Sequence, residues 1–474
     1  MTQIGDVARV ILVDLESAVL VYFVVISTFY LLLLAAAAAE LRAHVLRIRA
    51  ESRSRVLSSP VAPSICVLAP AYNEAANIAE SVRALITLSY PNLEIIVVND
   101  GSTDATLAVL RRELALVPLH PVFKRSVETR PVRGLYRSRD HPGLTVVDKV
   151  NGGKADSLNA GLNVASAELV CAIDADTLIE PDALQRMVRP FLEGDRVMAA
   201  GGTIRVANGS RVSHGRIGAA RMPDQALPGF QVVEYLRAFL FGRLGWNRLG
   251  GNLIISGAFG LFRREAMLGI GGYTSDTVGE DMEVVVRLRR AAREQGLPDD
   301  VRFIPDPVAW TEVPSSARVL GRQRDRWHRG LADVLWRHRG VLFRRRYGAF
   351  GLVVFPYYVF VELFAPVVEA LGLIGLLAGL VFGALDLPFA VLFFSAAYGS
   401  GLILSLATLL LEELSFHRYA RLRDHFLLLL WAVLENFGYR QLTVLWRLGG
   451  LIAYLRRRTA WGAMERQGFA NPPA

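Results

Sequence analysis

The chain has 474 residues, 52% of them hydrophobic, with a formal charge of +9 and a mean hydropathy of +0.33. That length allows more than one domain, and so apolar a balance excludes an ordinary soluble enzyme and points to membrane segments. The positive charge leaves nucleic acid, anionic lipid or a polyanionic substrate as partners. No basic run with interleaved aromatics offers a nucleic-acid platform, and the arginines cluster beside apolar stretches, so a lipid bilayer is expected and nucleic acid is not.

In chain order, residues 17–39 carry no charge. At the helical rise, roughly 20 apolar residues cross a bilayer core. Asp6, Asp14 and Glu16 precede this stretch, and Arg42, Arg47, Arg49, Arg53 and Arg55 follow it. The positive-inside rule then places the following domain in the cytoplasm, at the inner face of the cell membrane. Residues 1–56 read as an anchor helix and a basic linker.

Residues 57–346 read as a soluble α/β domain. Strands are expected at 64–70, 93–98 and 145–147, and helices at 74–88 and 154–164. Ser102 or Thr103 is a plausible cap for the helix after the second strand. Residues 118–143, rich in Pro, Gly and Arg, read as a surface excursion, and 207–229 as a polar loop. Val170-Cys171-Ala172-Ile173 reads as a buried strand ending in Asp174-Ala175-Asp176. Strand alternating with helix at this spacing predicts a parallel sheet with crossover helices. The cysteines, Cys66 and Cys171, lie in strand-like apolar runs and read as small buried hydrophobes.

Beyond Arg344-Arg345-Arg346 the composition turns apolar again. Residues 350–385 hold only Glu362 and Glu369 as charges, and 387–411 hold none. They are expected to form a transmembrane hairpin, with both glutamates facing protein or a water-lined path. Residues 426–455, interrupted by Glu435, Asn436, Gly438 and Arg440, read as interfacial or re-entrant. Residues 347–474 thus form a C-terminal membrane region with a basic tail, and the whole chain is read as multi-pass.

The candidate chemistry sits at strand ends, where open α/β sheets bind ligands. Two carboxylates one residue apart suit a hard divalent cation carrying a diphosphate. Asp174 and Asp176 project to one side if the strand continues that far. Lys154 follows two glycines that let backbone approach a ligand, and its ammonium suits a diphosphate. Glu280-Asp281 opens a helix-like run at 282–288, where acids also match the helix dipole. Gln323, Arg326 and Trp327, at i, i+3 and i+4, share one helical face. The same helix is amphipathic and arginine-rich, as a membrane-surface helix is. Pro70-Ala71-Tyr72-Asn73-Glu74 and Asn99-Asp100-Gly101-Ser102 read equally as turns or as ribose and base contacts. Asn208-Gly209-Ser210 matches a glycosylation sequon, taken as chance in a cytoplasmic domain.

These motifs, in this order, resemble the family 2 glycosyltransferases of GT-A fold. Pro-Ala-Tyr-Asn-Glu, Val-Val-Asn-Asp-Gly-Ser-Thr-Asp, Gly-Gly-Lys-Ala at 152–155, Asp-Ala-Asp at 174–176, Gly-Glu-Asp at 279–281 and Gln-Arg-Asp-Arg-Trp at 323–327 carry the resemblance. Gly279 stands where the family has threonine. The last motif is typical of the membrane-embedded branch that includes cellulose, hyaluronan, chitin-like and poly-N-acetylglucosamine synthases. The resemblance implies a GT-A domain between an anchor and a C-terminal helix bundle, a UDP-sugar donor, and Mg²⁺ or Mn²⁺ on Asp174 and Asp176. It implies Asp281 as general base with Glu280 beside it, and Tyr72, Glu74, Asp100, Lys154, Asp174 and Arg326 on the nucleotide sugar. Gln323, Trp327 and Phe259 are then expected at the acceptor. The implied activity is inverting transfer to a growing β-linked polysaccharide, with a glycolipid transferase as the alternative enzyme and a non-catalytic glycan-binding subunit as the third reading. The acceptor is a glycan or lipid, and a homo-oligomer or export partner is compatible with so few helices.

Overall fold

The structure, a computed structural model, describes residues 2–50, 62–120, 122–174, 177–194, 196–213, 215–381 and 387–457. Asp176, most of the basic linker and Arg458 lie outside the described residues.

The strands are β1 (Ile65–Ala71), β2 (Leu93–Asn99), β3 (Leu116–Leu119), β4 (Val132–Ser138), β5 (Leu144–Lys149), β6 (Leu169–Ile173), β7 (Leu178–Ile179), β8 (Val197–Val206), β9 (Val212–Ser213), β10 (Arg216–Ile217), β11 (Phe259–Arg263) and β12 (Asp300–Thr311). Ten of them form one sheet in the order β3-β4-β5-β2-β1-β6-β11-β8-β12-β7. The centre is parallel, as the alternation of strand and helix predicts: β1 pairs with β2 and β6, and β2 with β5. β11 then runs antiparallel to both β6 and β8, so the sheet is mixed.

The central strands read as unbroken apolar runs because both faces are covered. Along β1, Ile65, Val67 and Ala69 enter one core while Cys66 and Leu68 enter the other. Cys171 and Val170 divide in the same way on β6, and both cysteines are fully buried. The helix Lys154–Val164 lies on the second face so closely that a Cβ at Gly161 would stand 2.9 Å from Leu68 Cδ2.

The surface excursion expected at 118–143 is corrected in part. Its end forms β4, antiparallel to β5, with β3 outside it. Arg133 and Arg137 of β4 are exposed while Leu135 is buried. Polar, charged strands near a sheet margin guard against edge pairing, and they carry little hydrophobic signal. The loop expected at 207–229 contains the short hairpin β9–β10 and gives way to a helix at Ala226. Asn208, the sequon residue, is occupied structurally: its side chain accepts from Val313 N at 2.8 Å and donates to Val313 O at 3.1 Å.

The N-terminal helix spans Thr2–Ala50, and its segment Asp14–Ile48 is long and apolar enough to cross a membrane. The helices Phe350–Leu363 and Ala365–Val381, bent by 41°, pass the same test only when taken together. The N-terminal helix docks on the domain through Leu33, which fills the space beside Gly245, and through Glu40, which accepts from Asn247 at 3.0 Å. The C-terminal helices Ser400–Ser415, Leu422–Leu434 and Tyr439–Leu455 pack back onto the domain. Glu362 and Glu369 face protein: Tyr357 donates to Glu362 at 2.8 Å, and Arg440 pairs with Glu369.

One ion pair joins sheet to C-terminal helix in the interior. Arg205 of β8 and Glu412 of Ser400–Ser415, each 2% exposed, meet at 2.6 Å. Glu412→Gln leaves the guanidinium buried beside a neutral amide. The variant is expected to lose about 3–5 kcal/mol of stability, read as a lower unfolding midpoint in detergent, with Arg205→Met/Glu412→Leu recovering most of the loss.

Candidate active site

Asp100 directly follows β2 and is only 3% exposed. Its carboxylate accepts from Lys149 Nζ at 2.6 Å, Gly152 N at 2.9 Å and Gly153 N at 2.7 Å. Lys149 is wholly buried and also meets Asp156 at 2.6 Å. The cluster therefore ties the end of β2 to the glycine turn and to the helix that begins at Lys154. Gly153 adopts φ +88, which favours glycine, and a Cβ at Gly152 would strike the Asp156 carboxylate at 2.5 Å. These contacts aim Lys154.

Lys154 Nζ stands 2.5 Å from Asp174, 3.8 Å from Glu280 and 3.3 Å from Gly257 O, to which it donates. Burial pulls its ammonium toward neutrality, but Asp174 and Glu280 more than offset that and hold it protonated. Gly257 has no room for a side chain, since a Cβ there would lie 2.8 Å from Lys154 Nζ. Its N–H donates to Asp281 at 3.4 Å. Asp281 therefore stands across Gly257 from the lysine. Glu280 is 8% exposed, and burial, reinforced by the charge of Asp281, raises its carboxyl above the usual range despite Lys154. Three carboxylates thus share one ammonium.

The helix Ala317–Arg337 brings Gln323, Arg326 and Trp327 to the same cavity, whose volume is about 1150 Å³. Trp327 is 44% exposed, while Arg324 stacks over its ring at 4.3 Å and donates to Glu234 at 2.7 Å. Tyr358, Glu362 and Arg447 close the cavity from the C-terminal helices. Tyr72, 50% exposed, and Glu74 follow β1 on the neighbouring turn. Asn73 there holds φ 55, and its side chain accepts from Thr103 N at 2.9 Å, which clamps the two turns together.

Three expectations change. β6 stops at Ile173, so Asp174 lies in the turn after it, and the strand geometry that would align it with Asp176 does not extend that far. Phe259 is 0% exposed and packs in the core, paired with Ile173 across the β11–β6 ladder; Ser256, Gly257 and Ala258 line the cavity in its place. Asp100 spends its carboxylate on the scaffold. Residues outside every motif also line the cavity, among them Glu234, Arg243 and Arg447. No spacing marks them, because they reach the cavity from separate helices.

Gly279 gains a reason. A Cβ on it would sit 3.0 Å from Gly330 Cα, and a Cβ on Gly330 equally close to Gly279 Cα. The acidic turn and the tryptophan helix touch backbone to backbone. Gly279→Thr is therefore expected to lower turnover and to cost about 1–3 kcal/mol through overpacking; a thermal midpoint equal to that of the parent protein would contradict this. His328, 3% exposed, offers a second test. Burial and the charge of Arg447, which donates to its Nδ1 at 3.4 Å, pull its imidazole down to about 3. The folded state thus binds this proton less readily than the unfolded chain, whose histidine titrates near 6.5. Its contribution to stability is present above pH 6.5 and is lost as the pH falls from there toward 3. His328→Gln should flatten the fall of the thermal midpoint across that window.

Residues 66–269 match Glycosyl transferase family 2, and residues 169–411, more than half of the chain, match Glycosyl transferase family group 2. A poly-beta-1,6-N-acetyl-D-glucosamine synthase of Staphylococcus epidermidis is 28% identical over 274 residues, 58% of this chain and 56% of its own length. A synthase of the same name from Staphylococcus aureus (strain COL) is 27% identical over 274 residues, again 58% of this chain and 56% of its own length. The chain thus spans about half the length of the curated relatives it matches. A mannosyltransferase from Pyrobaculum calidifontis, solved in complex with GDP-Man and Mn2+, shares the fold, with a TM-score of 0.53 at 20% identity over 91% of this chain and 99% of its own. The chain belongs to glycosyl transferase family group 2, and its mixed α/β sheet is GT-A-like.

Proposed function

We propose that the protein is an inverting membrane glycosyltransferase that moves a sugar from a UDP-sugar to a growing β-linked polysaccharide. The observation that carries this reading is the convergence of Lys154, Asp174, Glu280 and Asp281 with Gln323, Arg326 and Trp327 on one cavity. The relatives named as poly-beta-1,6-N-acetyl-D-glucosamine synthases support a β-linked polymer and make N-acetylglucosamine the first sugar to test.

In this reading Asp281 is the general base. It is half-buried at the cavity, whereas Glu280 is nearly enclosed and is better placed to hold Lys154. The acceptor hydroxyl attacks the anomeric carbon, a C–O bond forms, and the bond to the donor's diphosphate breaks. Asp281 takes the hydroxyl proton, and the nucleoside diphosphate leaves with the bonding electrons. One displacement inverts the anomeric centre. Lys154 and Arg326 supply positive charge to the departing diphosphate. Trp327 and Gln323 serve the acceptor, with an apolar plate and an amide. Tyr72, Glu74 and the turn held by Asp100 serve the nucleotide end.

Asp174, Glu280 and Asp281 outnumber Lys154 in charge, and their oxygens are the ligand type that Mg²⁺ or Mn²⁺ prefers. Asp174, with Asp176, would hold the ion, which when bound supplies Lewis-acid stabilisation of the diphosphate. The finer placement follows the same reading: residues 1–56 as anchor and linker, 57–346 as a cytoplasmic catalytic domain, and 347–474 as a multi-pass membrane region of the inner membrane. A second copy or an export partner would complete a conduit for the polymer.

The test uses purified full-length protein with Mg²⁺ or Mn²⁺ and single UDP- and GDP-sugars. Release of UDP from one donor and a labelled product of polymeric size are expected, with chelation stopping both. Asp281→Asn should cut turnover by about 10²- to 10⁴-fold with little change in donor KM. Silence across all donors, or normal turnover by Asp281→Asn, would sink the reading, and a product limited to one transferred sugar would replace polymer synthesis with single transfer.

A further inference from the structure

Arg243 is the cavity residue that the proposed reaction leaves without a task. It closes a π-helical turn, Arg237–Arg243, set between the helices Ala226–Leu236 and Leu244–Arg248. Such wide turns are rare and gather at functional sites. The guanidinium lies over the Phe239 ring at 4.1 Å and lines the catalytic cavity. Its Nη1 is buried, and among the described residues the side chain makes no hydrogen bond or ion pair. Neighbouring buried and half-buried arginines have their carboxylates. Arg324 meets Glu234, Arg237 meets Glu435, and Arg289 meets Asp299. Burial pulls the Arg243 guanidinium down to about 10, so it keeps its proton at neutral pH. A half-buried guanidinium whose inner nitrogen has no partner is costly unless a ligand completes it.

Its surroundings say which end of the reaction the ligand belongs to. The π-helical turn packs against the N-terminal helix, where Phe241 meets the Tyr30 ring edge-on at 5.7 Å, and against the helix Ser400–Ser415, where Arg237 donates to Ser405 at 2.7 Å. Arg243 therefore enters the cavity from the side of the apolar helices, in company with Tyr358 and Arg447. In the proposed reading an acceptor arrives from those helices, whereas the donor's diphosphate belongs with Lys154 and Asp174.

We propose that Arg243 is an acceptor-recognition residue that binds an oxyanion carried by the acceptor, either a sugar carboxylate or the phosphate of a lipid-linked sugar. The proposal rests on the glycosyltransferase reading above. A planar guanidinium forms paired, charge-assisted hydrogen bonds with either group. The aromatic face of Phe239 fixes its plane, and the absence of a protein carboxylate leaves its donors to the ligand.

The experiment takes full-length protein in detergent, the donor that releases nucleoside diphosphate, and three acceptor probes. These are a neutral N-acetylglucosamine oligomer, a glucuronate-terminated oligomer and a polyprenyl-diphosphate-linked sugar. With the parent protein, one anionic probe should accept sugar at a far lower concentration than the neutral oligomer. The probe that does so names the source of the oxyanion. Arg243→Gln should raise the half-saturating concentration of that probe by about thirtyfold or more, and Arg243→Lys should restore part of it, while the donor KM moves far less. Equal use of neutral and anionic acceptors by the parent protein overturns the proposal even if the variants fail to fold. A shift in donor KM in place of acceptor KM also overturns it and assigns Arg243 to the diphosphate. Nucleotide release by the parent protein reports separately on the glycosyltransferase reading, so the two ideas fail independently.

Discussion

The backbone contact between Gly279 and Gly330 is the constraint on which the cavity depends. It brings the turn carrying Glu280 and Asp281 against the helix carrying Gln323, Arg326 and Trp327, with no side chain between them. Any β-carbon at either position would push the acids and the tryptophan apart. The far side of that helix is bound with the same closeness. A Cβ at Gly321 would meet Trp446 Nε1 at 2.8 Å, and one at Gly450 would meet the Asp325 carbonyl at 2.5 Å. The tryptophan helix is thus held between the acidic turn and the helix Tyr439–Leu455. Close approach through small residues packs this helix tightly on both sides.

The opposite wall is set by charge. Lys149 lies wholly inside, between Asp100 and Asp156, and a buried charge of this kind persists only when its partners satisfy it. Here the partners do more than neutralise. Asp100 also accepts the two glycine N–H groups ahead of Lys154. An aspartate that looks like a ligand for ribose or base therefore acts first as the clasp of the glycine turn. The second lysine, Lys154, is the one exposed to the cavity, with Asp174 against it. Two lysines five residues apart divide the work: one builds the turn and the other faces the site.

Much of this was legible in the chain because Asp100, Lys154 and Asp174 follow strand ends, which face one crevice, while Asp281 and Trp327 lie on helices and were expected there from the motif order. The order of Asp100, Lys154, Asp174, Asp281 and Trp327 predicted that most of them would converge, and the central strands are plain as buried apolar runs. What escaped did so for physical reasons. β3 and β4 lie at a polar margin, where no core imposes a pattern. Phe259 sits beside cavity residues in sequence, yet a strand sends alternate side chains to opposite faces, and its own goes to the core. Arg243 and Arg447 reach the cavity from separate helices, and only tertiary packing shows that they do. The helix from Ala226 to Arg248 bore no motif, and its π turn has no signature that periodicity reveals.

The C-terminal helices are joined to the domain by polar pairs as well as by apolar contact. Arg205 meets Glu412, Arg324 and Tyr439 both meet Glu234, and Arg237 reaches Glu435 and Ser405. Pairs of this kind add little net stability, since desolvation offsets most of their attraction. They do penalise every wrong register, because a shift of one helical turn would strand several charges in the interior at once. An apolar helix is otherwise free to slide or rotate against an apolar neighbour at small cost. The polar pairs thus help to fix the helix that carries Arg447, since Tyr439 at its start is held by Glu234, and with it one wall of the cavity. The outward faces of the same helices stay apolar and exposed, at Leu410, Leu414, Leu429 and Leu445 among others, so one short segment of chain carries a polar seam on one side and an apolar surface on the other.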